Sequence, residues 1–132
     1  MELTYKMRIV VLWLFIGIAM SAHSIENLSE PNGVESTVSI MVAMGSGGFL
    51  FATLVGWLIP LWLAFLTTVL KDTANRWTNI ILGIIFTLLS IYHLTEPCVG
   101  ARIHQILLIA STVVAPALIA WYAWKWPKQD AG

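Results

Sequence analysis

Between Phe49 and Leu70 the chain reads FLFATLVGWLIPLWLAFLTTVL, 22 residues without a charged side chain. A hydrocarbon core about 30 Å thick takes roughly 20 apolar residues at a helical rise of about 1.5 Å each, so this stretch crosses a bilayer once. It shows no alternation of apolar and polar positions. In lipid every backbone polar group must be bonded within its own segment, so the crossing is a helix.

The rest of the chain repeats the pattern. Of 132 residues, 58% are hydrophobic and 11% charged, with a mean hydropathy of +0.82, whereas soluble domains carry about 25% charged residues. The 14 charged side chains fall into five clusters: Glu2, Lys6 and Arg8; Glu26, Glu30 and Glu35; Lys71, Asp72 and Arg76; Glu96 and Arg102; Lys125, Lys128 and Asp130. Between them lie charge-free stretches at 9–25, 36–70, 77–95 and 103–124, of 17, 35, 19 and 22 residues. A charge at a helix centre costs about 2.5–3.5 kcal/mol on insertion, so this spacing predicts an all-α membrane protein with four transmembrane helices, near 7–25, 42–70, 77–95 and 103–125. Its partner is the lipid bilayer. A formal net charge of zero and the absence of a basic block argue against a nucleic acid, and the single Cys98 has no partner within the chain for a disulfide.

Lys and Arg concentrate on the cytoplasmic side of short loops. Six of the seven basic residues stand in alternate clusters, Lys6 and Arg8, Lys71 and Arg76, and Lys125 and Lys128. The expected bundle is therefore antiparallel, with both termini inside a bacterial inner membrane and the segments around Glu26–Glu35 and Glu96–Arg102 outside. Tyr5, Trp77, Trp121, Tyr122, Trp124 and Trp126 gather at the cytoplasmic ends, as interfacial anchors do. A rival reading of the first span is a signal peptide, since Lys6 and Arg8 precede an apolar run ending in small residues, Ala19 and Ser21. Trp13 and Phe15 suit an anchor better.

Helices in lipid associate through small residues. Gly48, Ala52 and Gly56 recur every four residues on one face of the second span, and Gly17 with Ser21, Gly83 with Thr87 and Ser111 with Ala115 give shorter versions elsewhere. Pro60 and Pro116 fall inside spans, where each removes one backbone hydrogen bond and bends the helix.

Two copies of His-x-x-Glu, His23 to Glu26 and His93 to Glu96, close the first and third spans on the outer side. Side chains three apart share a helix face, and with His104 the set offers three imidazoles and two carboxylates, the donors of a transition-metal centre or of a pH-sensitive cluster. The plainer reading is a set of polar residues at the membrane boundary. No Cys-x-x-Cys, phosphate loop or mid-span carboxylate supplies a catalytic template, so no enzyme and no cofactor is expected.

The third span opens with KDTANRWTNIILG, residues 71–83, in which Asp72 or Thr73 suits a helix cap, Arg76 lies at headgroup depth and Asn79 enters the bundle in need of a hydrogen bond. Here the chain resembles a family of small bacterial four-helix membrane proteins with an Asn-Arg-Trp-x-Asn segment at the third helix and a Trp-Tyr-Ala-Trp end to the fourth. The matching residues are Asn75, Arg76, Trp77, Asn79 and Gly83, then Trp121, Tyr122, Ala123 and Trp124. The resemblance implies a multi-pass protein without an established activity. It departs where the family carries acidic residues, at the end of the first helix and before the second-helix proline; here those places read SAHSI and WLIPL. The role expected is accessory or structural, through helix packing with a second copy or a membrane partner; a small oligomeric transporter or channel is the alternative.

Overall fold

A computed structural model describes residues 2–96, 99 and 102–127. Pro97, Cys98, Lys128 and Asp130 lie outside the described residues. Among those described there is no strand, and five helices follow in order: α1 (Glu2–Ser29), α2 (Gly33–Thr53), α3 (Ile59–Val69), α4 (Asp72–Leu94) and α5 (Ile103–Lys125). A π-helical turn, Leu54–Leu58, joins α2 to α3. Four helical stretches are thus long and apolar enough to cross a membrane, Leu3–Ser29, Gly33–Val69, Asp72–Leu94 and Ile103–Lys125.

The π-turn is how the second span absorbs Pro60. The proline ring has no N–H to give, and a simple bend was expected. Instead the preceding turn widens so that the Ile59 N–H reaches back five residues to the Leu54 carbonyl, a device common where an α-helix must take in an irregular residue. A second break lies further out, at Gly45, whose φ of 67° and ψ of −179° belong to a region that residues with a Cβ avoid. The second span is therefore helical from Gly33 onward, longer than the expected 42–70, but broken twice.

The first connection is built from Glu30, Pro31, Asn32 and Gly33, EPNG in one-letter order. Gly33 N–H donates to the Glu30 carbonyl at 2.8 Å, Pro31 fixes the second position, and Asn32 takes the positive φ, 58°, that the third position of this tight turn requires. A Cβ on Gly33 would stand 2.1 Å from the Asn27 carbonyl oxygen, so the chain closes this corner only with glycine. At the start of α4 neither Asp72 nor Thr73 caps the helix with its side chain. Asp72 instead pairs with Lys6 of α1, 3.5 Å away, while still placing negative charge in the first turn, where the helix dipole favours it.

α4 packs most extensively on α5, α5 on α1, and α1 on α3; α3 and α4 touch only briefly. The buried core runs along these contacts through Ile9, Trp13 and Ile16, Leu63 and Ala64, Ile80 and Phe86, and Ala115, Ile119 and Ala123. Trp13 meets Phe86 edge to face at 5.2 Å. Gly83 permits a close helix approach: a Cβ there would lie 2.9 Å from both the Pro116 oxygen and the Ala120 nitrogen. By contrast the stripe of Gly48, Ala52 and Gly56 does not seat a neighbouring helix along its length. The atoms nearest to a Cβ on Gly48 belong to Met44 of its own helix, and Gly56 looks onto Met20; the broken rod leans out, and the bundle expected to close stays open between α2 and the rest.

A buried polar knot ties three helices together. Trp13 Nε1 donates to Asn79 Oδ1 at 2.7 Å, Asn79 Nδ2 donates to Asn75 Oδ1 at 2.7 Å, and Asn75 Nδ2 donates to the Thr67 carbonyl at 2.7 Å. Thr67 Oγ1 donates in turn to the Leu63 carbonyl at 2.7 Å. All four side chains are essentially inaccessible. Near the termini Arg76 donates to the Ala123 carbonyl at 3.2 Å and the Trp124 carbonyl at 3.4 Å, lying between the rings of Trp77 and Trp124. The orphan carbonyls that end α5 receive a cation, which the helix dipole favours. The Asn-Arg-Trp-x-Asn and Trp-Tyr-Ala-Trp segments, distant in sequence, thus meet in space.

Outside the core the large apolar side chains point outward on every helix, among them Ile18, Phe65, Leu88 and Leu107. Exposed apolar surface on this scale marks a membrane or protein interaction surface.

Candidate functional site: a cleft with a histidine pair at its mouth

The outward lean of α2 leaves a cleft of about 710 Å³ between α2, α1 and α4. Its inner part is apolar, lined by Ile16, Met20, Val55, Phe86 and Leu89, while its mouth, at the end of the bundle away from the termini, carries His23, Asn27, Glu30, His93, Glu96 and Arg102. The expected packing stripe contributes Ala52 and Gly56 to this wall. Trp57 steadies it by donating from Nε1 to Ser21 Oγ at 2.8 Å.

The mouth is ordered by a set of hydrogen bonds. Arg102 Nη2 donates to Asn27 Oδ1 at 2.9 Å, and Gln105 Nε2 donates to the same oxygen at 3.1 Å, which fixes both amides. Gln105 Oε1 is then the acceptor for His23 Nδ1–H, at 2.5 Å. His93 Nδ1 faces Glu96 Oε2 at 3.4 Å. The two Nε2 atoms face each other at 3.3 Å, with the rings edge to face.

Of the five residues expected to form a site, the structure brings together His23, His93 and Glu96. Glu26 does not join them. It lines a separate small cavity with Glu30 and His104, and its Oε2 is buried with no hydrogen-bond partner. His104 pairs with Glu30 at 2.9 Å, and Arg102 binds the same carboxylate at 3.2 Å. Among the described residues no three His, Cys, Asp or Glu side chains converge as a metal would need. The sequence pattern paired each His with its own Glu; it missed Gln105 and Asn27, which hold His23 from α5 and from its own helix. Gln105 is fully buried near the start of an apolar helix, and an amide in that position was the available signal.

The fold and its mouth define a class, an all-helical protein with four membrane-length helices and an amphipathic cleft. Compared with protein-family models, curated proteins and solved structures, the chain matches none.

Proposed function

We propose that this chain is a four-span inner-membrane protein, with both termini cytoplasmic, that acts without catalysis by holding one single-chain amphiphile in the cleft between α1, α2 and α4. The observation that carries this reading is the division of one cleft into an apolar interior and a hydrogen-bonding mouth. Ligand sites of about 300–1,000 Å³ are mostly apolar with a few placed polar groups, and this cleft, at about 710 Å³, falls in that range. Asn27, His23 and Arg102 would orient a polar head while the tail lies along Met20, Phe86 and Leu89. The accessory role expected from sequence is kept in this reading: a carrier or membrane component rather than a channel, because Phe86, in the inner part of the cleft, packs edge to face on the buried Trp13.

The first span stays with the mature protein on this reading. Ile9, Trp13, Ile16 and Ala19 are buried, and cleavage after the small residues would strip them from the core.

Two outcomes check the proposal. Mass spectrometry of organic extracts from the detergent-purified protein should find one amphiphile per chain, lost in Ala52→Phe, which fills the cleft wall, and kept in Leu88→Ala on the lipid-facing side. Absence of any stoichiometric amphiphile in the unsubstituted protein would sink the reading. For orientation, a Glu35→Cys variant with Cys98 replaced by Ser should react in intact cells with a thiol reagent that cannot cross the membrane; labelling only after lysis reverses the orientation.

A further inference from the structure

We infer that the seam between α1 and α5, at the end of the bundle that carries the termini, holds one anionic phospholipid, with its phosphate between Arg8 and Lys125 and an acyl chain along Phe15 and Leu118. The inference needs the chain in a bilayer but no amphiphile in the cleft, whose mouth lies at the opposite end.

Charge carries the argument. At this end Lys6 is paired with Asp72 at 3.5 Å, and Arg76 is engaged by the carbonyls that end α5. Arg8 and Lys125 are exposed, and neither has a carboxylate partner among the described residues. A ring holds each of them instead. Arg8 of α1 lies over Tyr122, 5.2 Å from the ring centre, and Lys125 lies over Trp121 at 4.8 Å. A ring face steadies a cation without neutralising it. Tyr122 and Trp121 are successive residues of α5, and Lys125 stands three places after Tyr122 on the same face. The two positive charges therefore flank one turn of α5.

Inward from these charges the seam is apolar. Phe15 follows Arg8 by two helical turns and Leu118 precedes Tyr122 by one, which keeps each on the face of the residue it is counted from; they are 39% and 37% exposed. Because α1 and α5 pack directly on each other, both side chains border the line where the helices meet. A phosphate accepts from the fork of an Arg and from the point charge of a Lys, while Tyr and Trp rings sit at headgroup depth. A phosphodiester that carries a chain matches this order of groups, and a free phosphate would leave the apolar stretch unused. Charge also selects among lipids. Two cations without a carboxylate suit an anionic head, whereas a choline head brings a cation of its own beside Arg8 and Lys125.

The test is native mass spectrometry of the full chain in a neutral detergent, with phosphatidylglycerol, phosphatidylcholine and glycerol phosphate offered in turn. One phosphatidylglycerol per chain should be retained in preference to phosphatidylcholine. Arg8→Gln/Lys125→Gln should lower that retention about thirtyfold, about fivefold for each charge removed, with the circular dichroism of the parent because both positions are exposed. Two controls should retain the lipid unchanged: Lys71→Gln, an exposed cation that precedes α4 at the same end, and Ala52→Phe in the cleft wall. Equal retention of the two lipids, or full retention by the double variant, overturns the site. A loss in Lys71→Gln as large as in the double variant overturns it in favour of unspecific attraction, and a loss in Ala52→Phe moves the lipid to the cleft. Glycerol phosphate bound as tightly as the lipid overturns the acyl chain along the seam.

Discussion

Asn79→Leu should destabilise the detergent-solubilised protein by about 3 kcal/mol, more than a substitution on the exposed apolar surface, because it removes the hub of a buried network and leaves polar groups stranded. Hydrogen bonds between membrane helices average only about 0.6 kcal/mol each, so the lost bonds alone do not reach that figure. The stranded groups do. Trp13 Nε1–H loses its acceptor and Asn75 Oδ1 loses its donor, both on fully buried side chains. A buried unsatisfied group costs about 1–3 kcal/mol. Trp13→Phe provides the control, since it keeps the ring against Phe86 and deletes the donor. In the Asn79→Leu background Trp13→Phe should cost less than it does alone, and thermal unfolding of the four proteins of the cycle measures the difference. Additive costs would mean that the two side chains do not share a bond.

How much of this was legible beforehand depends on which physical rule was in play. The exclusion of charge from hydrocarbon is strong and local, so four helices long and apolar enough to cross a membrane could be read from where Lys, Arg, Asp and Glu fall, and the last helix runs over Ile103–Lys125. The buried need of Asn79 was legible as well, because an amide inside a span must find a partner; that the partner is Trp13, 66 positions away, was not, since nothing local ties α1 to α4. The stripe of Gly48, Ala52 and Gly56 misled for a related reason. Small residues permit a close approach without requiring one, and the breaks at Gly45 and before Pro60 turn that face toward an open cleft. At the mouth, the three-residue spacing paired each His with its own Glu. Glu96 keeps its His, but His23 turns to Gln105 of another helix, a choice set by tertiary packing that no spacing within one helix encodes.

Gly83→Val should separate α4 from α5 and cost on the order of 3 kcal/mol, with Gly83→Ala already costing about 1–3 kcal/mol as overpacking does. The first added carbon would stand 2.9 Å from the Pro116 oxygen and the Ala120 nitrogen and 3.1 Å from the Ala120 Cβ. Two of these are backbone atoms, so relief requires moving a helix rather than rotating a side chain. α5 has little freedom to move: Pro116 is buried within it, Ile119 and Ala123 are in the core, and its end is held by Arg76. A shift of α4 instead would pull Asn79, one turn before Gly83, off Trp13. The same displacement should therefore weaken the polar knot, and Gly83→Val combined with Trp13→Phe should cost less than the sum of the two. Cross-linking efficiency between cysteines placed at Thr87 and Ser111, in a chain with Cys98 changed to Ser, reports whether the helices part. An unchanged melting temperature in Gly83→Val would show that α4 and α5 do not approach this closely in the membrane.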